Sequence, residues 1–138
     1  MGLAFGLWLC GPASTHAAEA VFVVVSVHSP VRSVSQKEVL ALFTGRSRSL
    51  ADGTLLVPVD QQRDGAARAA FYRALTGLDL ARIDSYWARL HFTGQVQRPQ
   101  VLADDASVLR HLRSDASAIG YLAREPADPA VRVVLRLP

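Results

Sequence analysis

Residues 21–27 read VFVVVSV, and this stretch decides how the chain is expected to fold. Only Ser26 interrupts a run of valines with one phenylalanine, and no polar residue alternates with the apolar ones. A strand without polar alternation is typical of one that is buried on both faces, as in the interior of an α/β sheet. The stretch therefore predicts a central strand with other elements packed on either side of it.

Helical and extended patterns follow this strand in turn. A capping box opens a helix at Ser35, where Glu38 stands three residues further on, and Gly45 ends it. Further helices are expected at about 64–75, at 79–91 and from Asp104 onward, and further strands at 55–59, 118–122 and 131–137. The order β-α-β-α-α-α-β-β predicts one α/β domain, residues 21–138, with a mixed, mainly parallel sheet flanked by helices.

The first 20 residues have a different character. Residues 3–9 are apolar, a Gly-Pro pair follows, and small residues continue to Ala20. This order is typical of a secretory signal peptide, and the apolar run is shorter than the roughly 20 residues that span a membrane. We expect residues 1–20 to be a signal peptide cleaved near Ala17 to Ala20. The mature protein is then periplasmic or secreted, without stable membrane insertion; the alternative is a buried N-terminal strand or helix.

Composition excludes several classes of protein. The 138 residues carry a net charge of +3, from 15 basic and 12 acidic side chains. The basic residues are spread along the chain, which disfavours a nucleic-acid partner. The single cysteine, Cys10, cannot form an internal disulfide and falls within the predicted leader.

Motifs for catalysis are missing from the sequence. It contains no G-x-S-x-G elbow, no P-loop and no G-x-G-x-x-G pattern. His28, His91 and His111 are far apart and lack the spacing of metal ligands. Asp104 and Asp105 stand at a helix start, where carboxylates cap free N–H groups. We therefore expect no enzyme activity, no metal and no cofactor.

One strand-to-helix turn has a pattern that suits anions. Residues 57–68 read VPVDQQRDGAAR, a strand and a turn followed by small residues at a helix start. Free backbone N–H groups and the helix dipole hold anions at such a place, although an ordinary capped helix start is the alternative. Ser29, at the end of the first strand, is a second contributor. The candidate ligand-binding residues are Ser29, Arg63, Asp64, Gly65, Ala66, Ala67 and Arg68.

A succession of short motifs runs through residues 23–122. They are Ser29-Pro30, Leu42-Phe43-Thr44-Gly45-Arg46, Leu50-Ala51-Asp52-Gly53, Tyr86-Trp87, Phe92-Thr93-Gly94 and Ala118-Ile119-Gly120-Tyr121-Leu122. In this order they resemble the second lobe of the phosphate-binding proteins of bacterial phosphate ABC transporters. The corresponding family segments read N-P, I-F-x-G-K, W-x-D-G, Y-W, F-S-G and G-A-I-G-Y. The resemblance implies a single periplasmic-binding-protein-like lobe that binds phosphate or a related oxyanion and works with a transporter permease.

Two departures from the family concern the ligand. Where the family has Arg-x-Asp-Gly-Ser-Gly-Thr, this chain has RDGAAR at residues 63–68, so alanines replace hydroxyl-bearing residues. The family's clamshell also encloses its ligand between two lobes, whereas the 118 residues left after the leader (138 − 20) make only one. The alternative function is therefore a ligand-free cell-envelope interaction module that retains the lobe and docks an envelope protein.

Overall fold

The computed structural model describes residues 20–94 and 96–138. The elements in that part are β1 (Val21–Ser26), α1 (Gln36–Phe43), β2 (Val57–Gln61), α2 (Ala66–Thr76), α3 (Leu80–Thr93), β3 (Gln100–Leu102), α4 (Asp105–Ser114), β4 (Ala118–Leu122) and β5 (Val131–Leu137). All eight predicted elements are present, and the short β3 is an addition. The predicted signal peptide lies outside the described residues except for Ala20, and so does Cys10.

The strands form one five-stranded mixed sheet in the order β3-β2-β4-β1-β5. β2 pairs in parallel with β3 and β4, whereas β1 pairs antiparallel with β4 and β5. β1 therefore runs opposite to the other four strands. The predicted mixed α/β sheet is confirmed, but its first strand runs antiparallel to the others.

The side chains of β1 alternate between two hydrophobic clusters, one on each face of the sheet. Val21, Val23 and Val25 belong to the larger cluster, to which α1, α2 and α3 contribute. Phe22 and Val24 pack on the other face, with side chains of α4. All six residues of β1 are buried, as the absence of polar alternation predicts. None of the helices described is both long and apolar enough to cross a membrane.

β2 lies two residues further along the chain than its pattern predicts. The expected strand covers 55–59, whereas the structure has Val57–Gln61. Leu55 is 69% exposed, while Asp60 and Gln61 are buried. A charged residue after an apolar run indicates a turn, but here the carboxylate of Asp60 stays inside because other side chains supply its hydrogen bonds. This shift brings a charged group into the core next to the predicted site.

The capping box of α1 is present, and its glutamate also reaches the following loop. The Ser35 hydroxyl accepts from the Glu38 N–H at 3.1 Å, and the Glu38 carboxylate accepts from the Ser35 N–H at 3.0 Å. Its other oxygen accepts from the Ala51 N–H at 2.9 Å. The N–H groups of Ala51 and Ser35 lower the pKa of Glu38, because they favour the ionised form. The carboxylate thus ties the helix start to the 46–53 loop.

Glu38→Gln should lower the free energy of unfolding by about 0.5 kcal/mol at neutral pH, since solvent screens an exposed carboxylate. The pKa of Glu38 is lowered on folding, so its ionised form stabilises the protein above the unfolded value of 4.5. That contribution is lost as the pH falls through the folded value. Urea unfolding between neutral pH and about pH 3 measures the difference, with the exposed Glu125→Gln as the matched control. A difference from the wild type that does not change with pH contradicts this role.

Candidate functional site

The first turn of α2 is open at the carboxyl end of β2. Gly65 is its N-cap and has no side chain to cap the helix, and the first turn contains no acidic residue. Within the described residues, no partner is assigned to the backbone N–H groups of Ala66, Ala67 and Arg68. Free N–H groups at the positive end of a helix dipole form a place for an anion.

Arg68 is buried beside this turn. Arg68 is only 4% exposed. Its Nε lies 3.4 Å from Oδ2 of Asp60, and its Nη1 lies 3.1 Å from Oδ1 of Asp84. Nη1 also donates to the carbonyl of Arg63 at 3.2 Å. Burial alone would lower the pKa of Arg68. The negative charges of Asp60 and Asp84 favour the protonated form and raise the pKa overall, so the guanidinium stays charged.

The Asp60 carboxylate is the centre of a buried polar network. Its Oδ1 accepts from the Tyr121 hydroxyl and, at 2.8 Å, from the Gln61 N–H. Its Oδ2 accepts from the Tyr72 hydroxyl at 2.8 Å and from Nε of Arg68. These donors allow a carboxylate only 3% exposed to remain in the core. Burial and then the charge of Asp60 raise the pKa of both tyrosines, so that their hydroxyls stay protonated and donate.

A cleft of about 370 Å³ lies beside the network. It is lined by Asp60, Gln62, Arg63, Arg68, Trp87, Arg98, Pro99 and Val101. Its three arginines outnumber its one carboxylate, whose oxygens already accept hydrogen bonds from the core. Nε of Arg63 lies 3.9 Å from Oδ1 of Asp84, and the Arg63 side chain is 59% exposed. With Asp84 counted beside Asp60, the three arginines leave one net positive charge, which suits a small anion better than a cation.

Of the seven predicted site residues, six are the consecutive residues 63–68 at the turn, and two of these, Arg63 and Arg68, line the cleft. The structure does not bring Ser29 there. Because β1 runs opposite to β2, Ser29 follows β1 at the other end of the sheet, and its hydroxyl accepts from the Val31 N–H at 3.2 Å. A mainly parallel sheet, as expected from the sequence, would have placed the carboxyl ends of β1 and β2 at the same edge of the sheet. Ser29 is therefore not part of this site.

Sequence reasoning missed several residues of the site. They are Asp60, Tyr72, Asp84, Arg98 and Tyr121. One signal was available in α2, where Arg68 and Tyr72 stand four residues apart on the same buried face as Leu75. A charged residue on a buried face requires a buried counter-charge. Among the residues described, no group of three or more His, Cys, Asp or Glu side chains could hold a metal ion.

No family model and no curated protein matches the sequence. Solved structures match the fold. A protein from Clostridium perfringens, described as a phosphate ABC transporter substrate-binding protein with bound phosphate, gives a TM-score of 0.62 at 15% identity and covers 85% of this chain and 45% of that one. An ABC-type phosphate transport receptor from Vibrio cholerae gives a TM-score of 0.61 at 11% identity and covers 85% of this chain and 46% of that one. PstS from Borrelia burgdorferi gives a TM-score of 0.52 at 11% identity and covers 75% of this chain and 40% of that one.

The chain thus spans less than half the length of these proteins. The TM-scores of 0.52–0.62 show a shared fold at sequence identities of 11–15%. The mixed sheet flanked by helices has its counterpart in these phosphate transport proteins. The described part of this chain therefore has the fold of a periplasmic-binding-protein-like lobe.

Proposed function

We propose that the protein is an exported, non-enzymatic solute-binding protein that takes phosphate or a related oxyanion at the start of α2 and serves an ABC transporter. The observation that carries the proposal is the uncapped first turn of α2, which adjoins a cleft lined by Arg63, Arg68 and Arg98. The similar protein from Clostridium perfringens was solved with bound phosphate, and the relative from Vibrio cholerae is a phosphate transport receptor.

The proposed ligand accepts hydrogen bonds from the N–H groups of residues 66–68. Arg68 adds a charge that Asp60 holds in place, and Nη2 of Arg68 has no hydrogen-bond partner within the described residues. Arg63 contributes from the solvent side. The alanines at 66 and 67 provide no hydroxyl donors, and each missing donor costs about 1–3 kcal/mol. We therefore expect weaker binding than a hydroxyl-lined turn gives.

Isothermal titration of the protein with inorganic phosphate tests the proposal. We expect measurable heat and a rise in the thermal unfolding temperature, because a ligand that binds only the folded state stabilises it. An absence of heat together with an unchanged unfolding temperature at millimolar phosphate refutes phosphate binding. Titration with sulfate in the same way then tests a related oxyanion.

Arg63→Ala should weaken phosphate binding about tenfold, since a charge-assisted hydrogen bond is worth about 1.5–3 kcal/mol and exposure reduces it. The free energy of unfolding should hardly change, because the side chain is 59% exposed. Calorimetry and urea unfolding provide the two measurements. The exposed Arg89 of α3 gives the matched control, Arg89→Ala, which should bind phosphate like the wild type. If Arg63→Ala unfolds the protein while binding persists, the site is misplaced.

The second candidate is a ligand-free cell-envelope interaction module. One observation favours it: residues 66 and 67 are alanines, which bring no hydroxyl donors to the turn. Sedimentation velocity with and without phosphate discriminates between the two functions. A stable complex with a defined envelope protein that does not respond to phosphate favours the module. A monomer that binds phosphate favours the solute-binding protein.

A further inference from the structure

A second and larger groove, of about 600 Å³, lies beside the first residues of β2. The buried side chains of Leu42 and Leu56 line it, and so do Leu55 and Val57, which are 69% and 55% exposed. Large apolar side chains that are exposed side by side along a groove are typical of a binding surface. This groove is distinct from the cleft at the start of α2, although Arg98 and Pro99 line both.

The charged residues of the groove are all positive. Arg48 and Arg98 line it, and no acidic residue does. Both arginines are exposed, and neither forms an ion pair within 20–94 and 96–138. Guanidinium groups bind carboxylates and phosphates through paired N–H donors. The charged end of a ligand in this groove is therefore an anion.

Two prolines disfavour an added peptide strand as the occupant. β3 pairs with Val59–Gln61 only, so the edge of β2 beside Val57 and Pro58 extends past the end of β3. Strand addition depends on backbone N–H groups along the exposed edge, and proline has none. Pro58 and Pro99 both line the groove. Apolar contacts and the two arginines are then the main interactions that this groove offers to a ligand.

We infer that the groove binds an amphiphilic anion, with its hydrocarbon chain on Leu55 and Val57 and its anionic head group on Arg48 and Arg98. The volume of about 600 Å³ lies within the usual range for small-molecule sites. The carboxylate of a fatty acid and the phosphate of an alkyl ester share the chemistry that the arginines recognise. The inference does not rest on phosphate binding at α2, because Arg48, Leu55 and Val57 line this groove alone.

A chain-length series tests the inference directly. Calorimetric titration with butanoate, hexanoate and octanoate should show affinity rising by up to about fourfold for each added methylene, the equivalent of about 0.8 kcal/mol. Octyl phosphate in the same assay compares the two head groups. Affinity that does not change with chain length, or no binding of octanoate and octyl phosphate, overturns the inference. Inorganic phosphate is titrated into Arg63→Ala and Arg48→Gln as well, because Arg98 lines both sites. Heat that is lost in Arg63→Ala and kept in Arg48→Gln reports on the start of α2, so each site fails or survives independently.

Variants at exposed positions locate the ligand without unfolding the protein. Leu55→Asn removes an apolar contact and Arg48→Gln a charge-assisted hydrogen bond, so each should weaken octanoate binding about tenfold. Both should leave inorganic phosphate binding at the start of α2 unchanged. The matched control is Arg46→Gln, which alters an exposed arginine of the same loop that does not line the groove. Thermal unfolding confirms that each variant is folded. Octanoate affinities equal to that of the wild type in both Leu55→Asn and Arg48→Gln overturn the assignment.

Discussion

Asp60→Asn should lower the free energy of unfolding by about 3–5 kcal/mol, the cost of breaking a buried ion pair from one side. The guanidinium of Arg68 would remain buried next to a neutral amide, with only the 32% exposed Asp84 side chain as counter-charge. The carboxylate accepts hydrogen bonds from Tyr72, Tyr121 and Arg68. Because the amide of asparagine replaces one acceptor oxygen by an NH₂ donor, at least one of these donors would lose its acceptor. Urea unfolding of the variant and the wild type measures the loss.

Asp64→Asn is the matched control, because it makes the same chemical change four residues away at an exposed position. Its effect should stay within about 0.5 kcal/mol. A double variant, Asp60→Asn with Arg68→Met, removes both buried charges and should recover much of the lost stability. Equal stabilities of Asp60→Asn and Asp64→Asn would show that the buried pair contributes nothing to the fold.

Features of the fold that depend on local pattern were predictable from the sequence. The valine run of residues 21–27 predicts an interior strand because burial on both faces removes polar alternation within the strand itself. The capping box of Ser35 and Glu38 fixes a helix start through contacts three residues apart. The direction of β1 relative to β2 was not predictable in this way, because it depends on which strands pair across the whole chain. That direction places Ser29 at the far end of the sheet from Arg63.

The centre of the candidate site depends on contacts that are distant in sequence. Asp60 accepts from the hydroxyls of Tyr72 and Tyr121, 12 and 61 residues further along the chain. Without these partners an aspartate after an apolar run indicates a turn, and for this reason the predicted β2 ends too early. The turn itself was recognisable, since its glycine and small residues define a helix start locally.

Phe71 supports both tyrosines that hold Asp60. Its ring stacks on Tyr121 with 3.9 Å between centroids and an interplanar angle of 4°. It also makes edge contacts with Phe43 at 4.8 Å and with Tyr72 at 5.0 Å. Aromatic pairs contribute about 0.5–1.5 kcal/mol beyond the apolar area that they bury. Phe71 therefore links the hydrophobic core to the hydrogen bonds that position Arg68.

Phe71→Ala should lower the free energy of unfolding by about 3–5 kcal/mol, because it removes a fully buried ring and leaves a cavity between the tyrosines. Phe92→Ala, at a ring 91% exposed, is the matched control and should change stability by no more than about 0.5 kcal/mol. Phe71→Leu fills much of the volume but cannot stack on Tyr121, so it should remain folded and lose less stability. If the cluster also positions Arg68, Phe71→Leu should weaken phosphate binding although residue 71 does not line the cleft. Unchanged phosphate affinity in Phe71→Leu would mean that the aromatic cluster stabilises the lobe without organising its anion site.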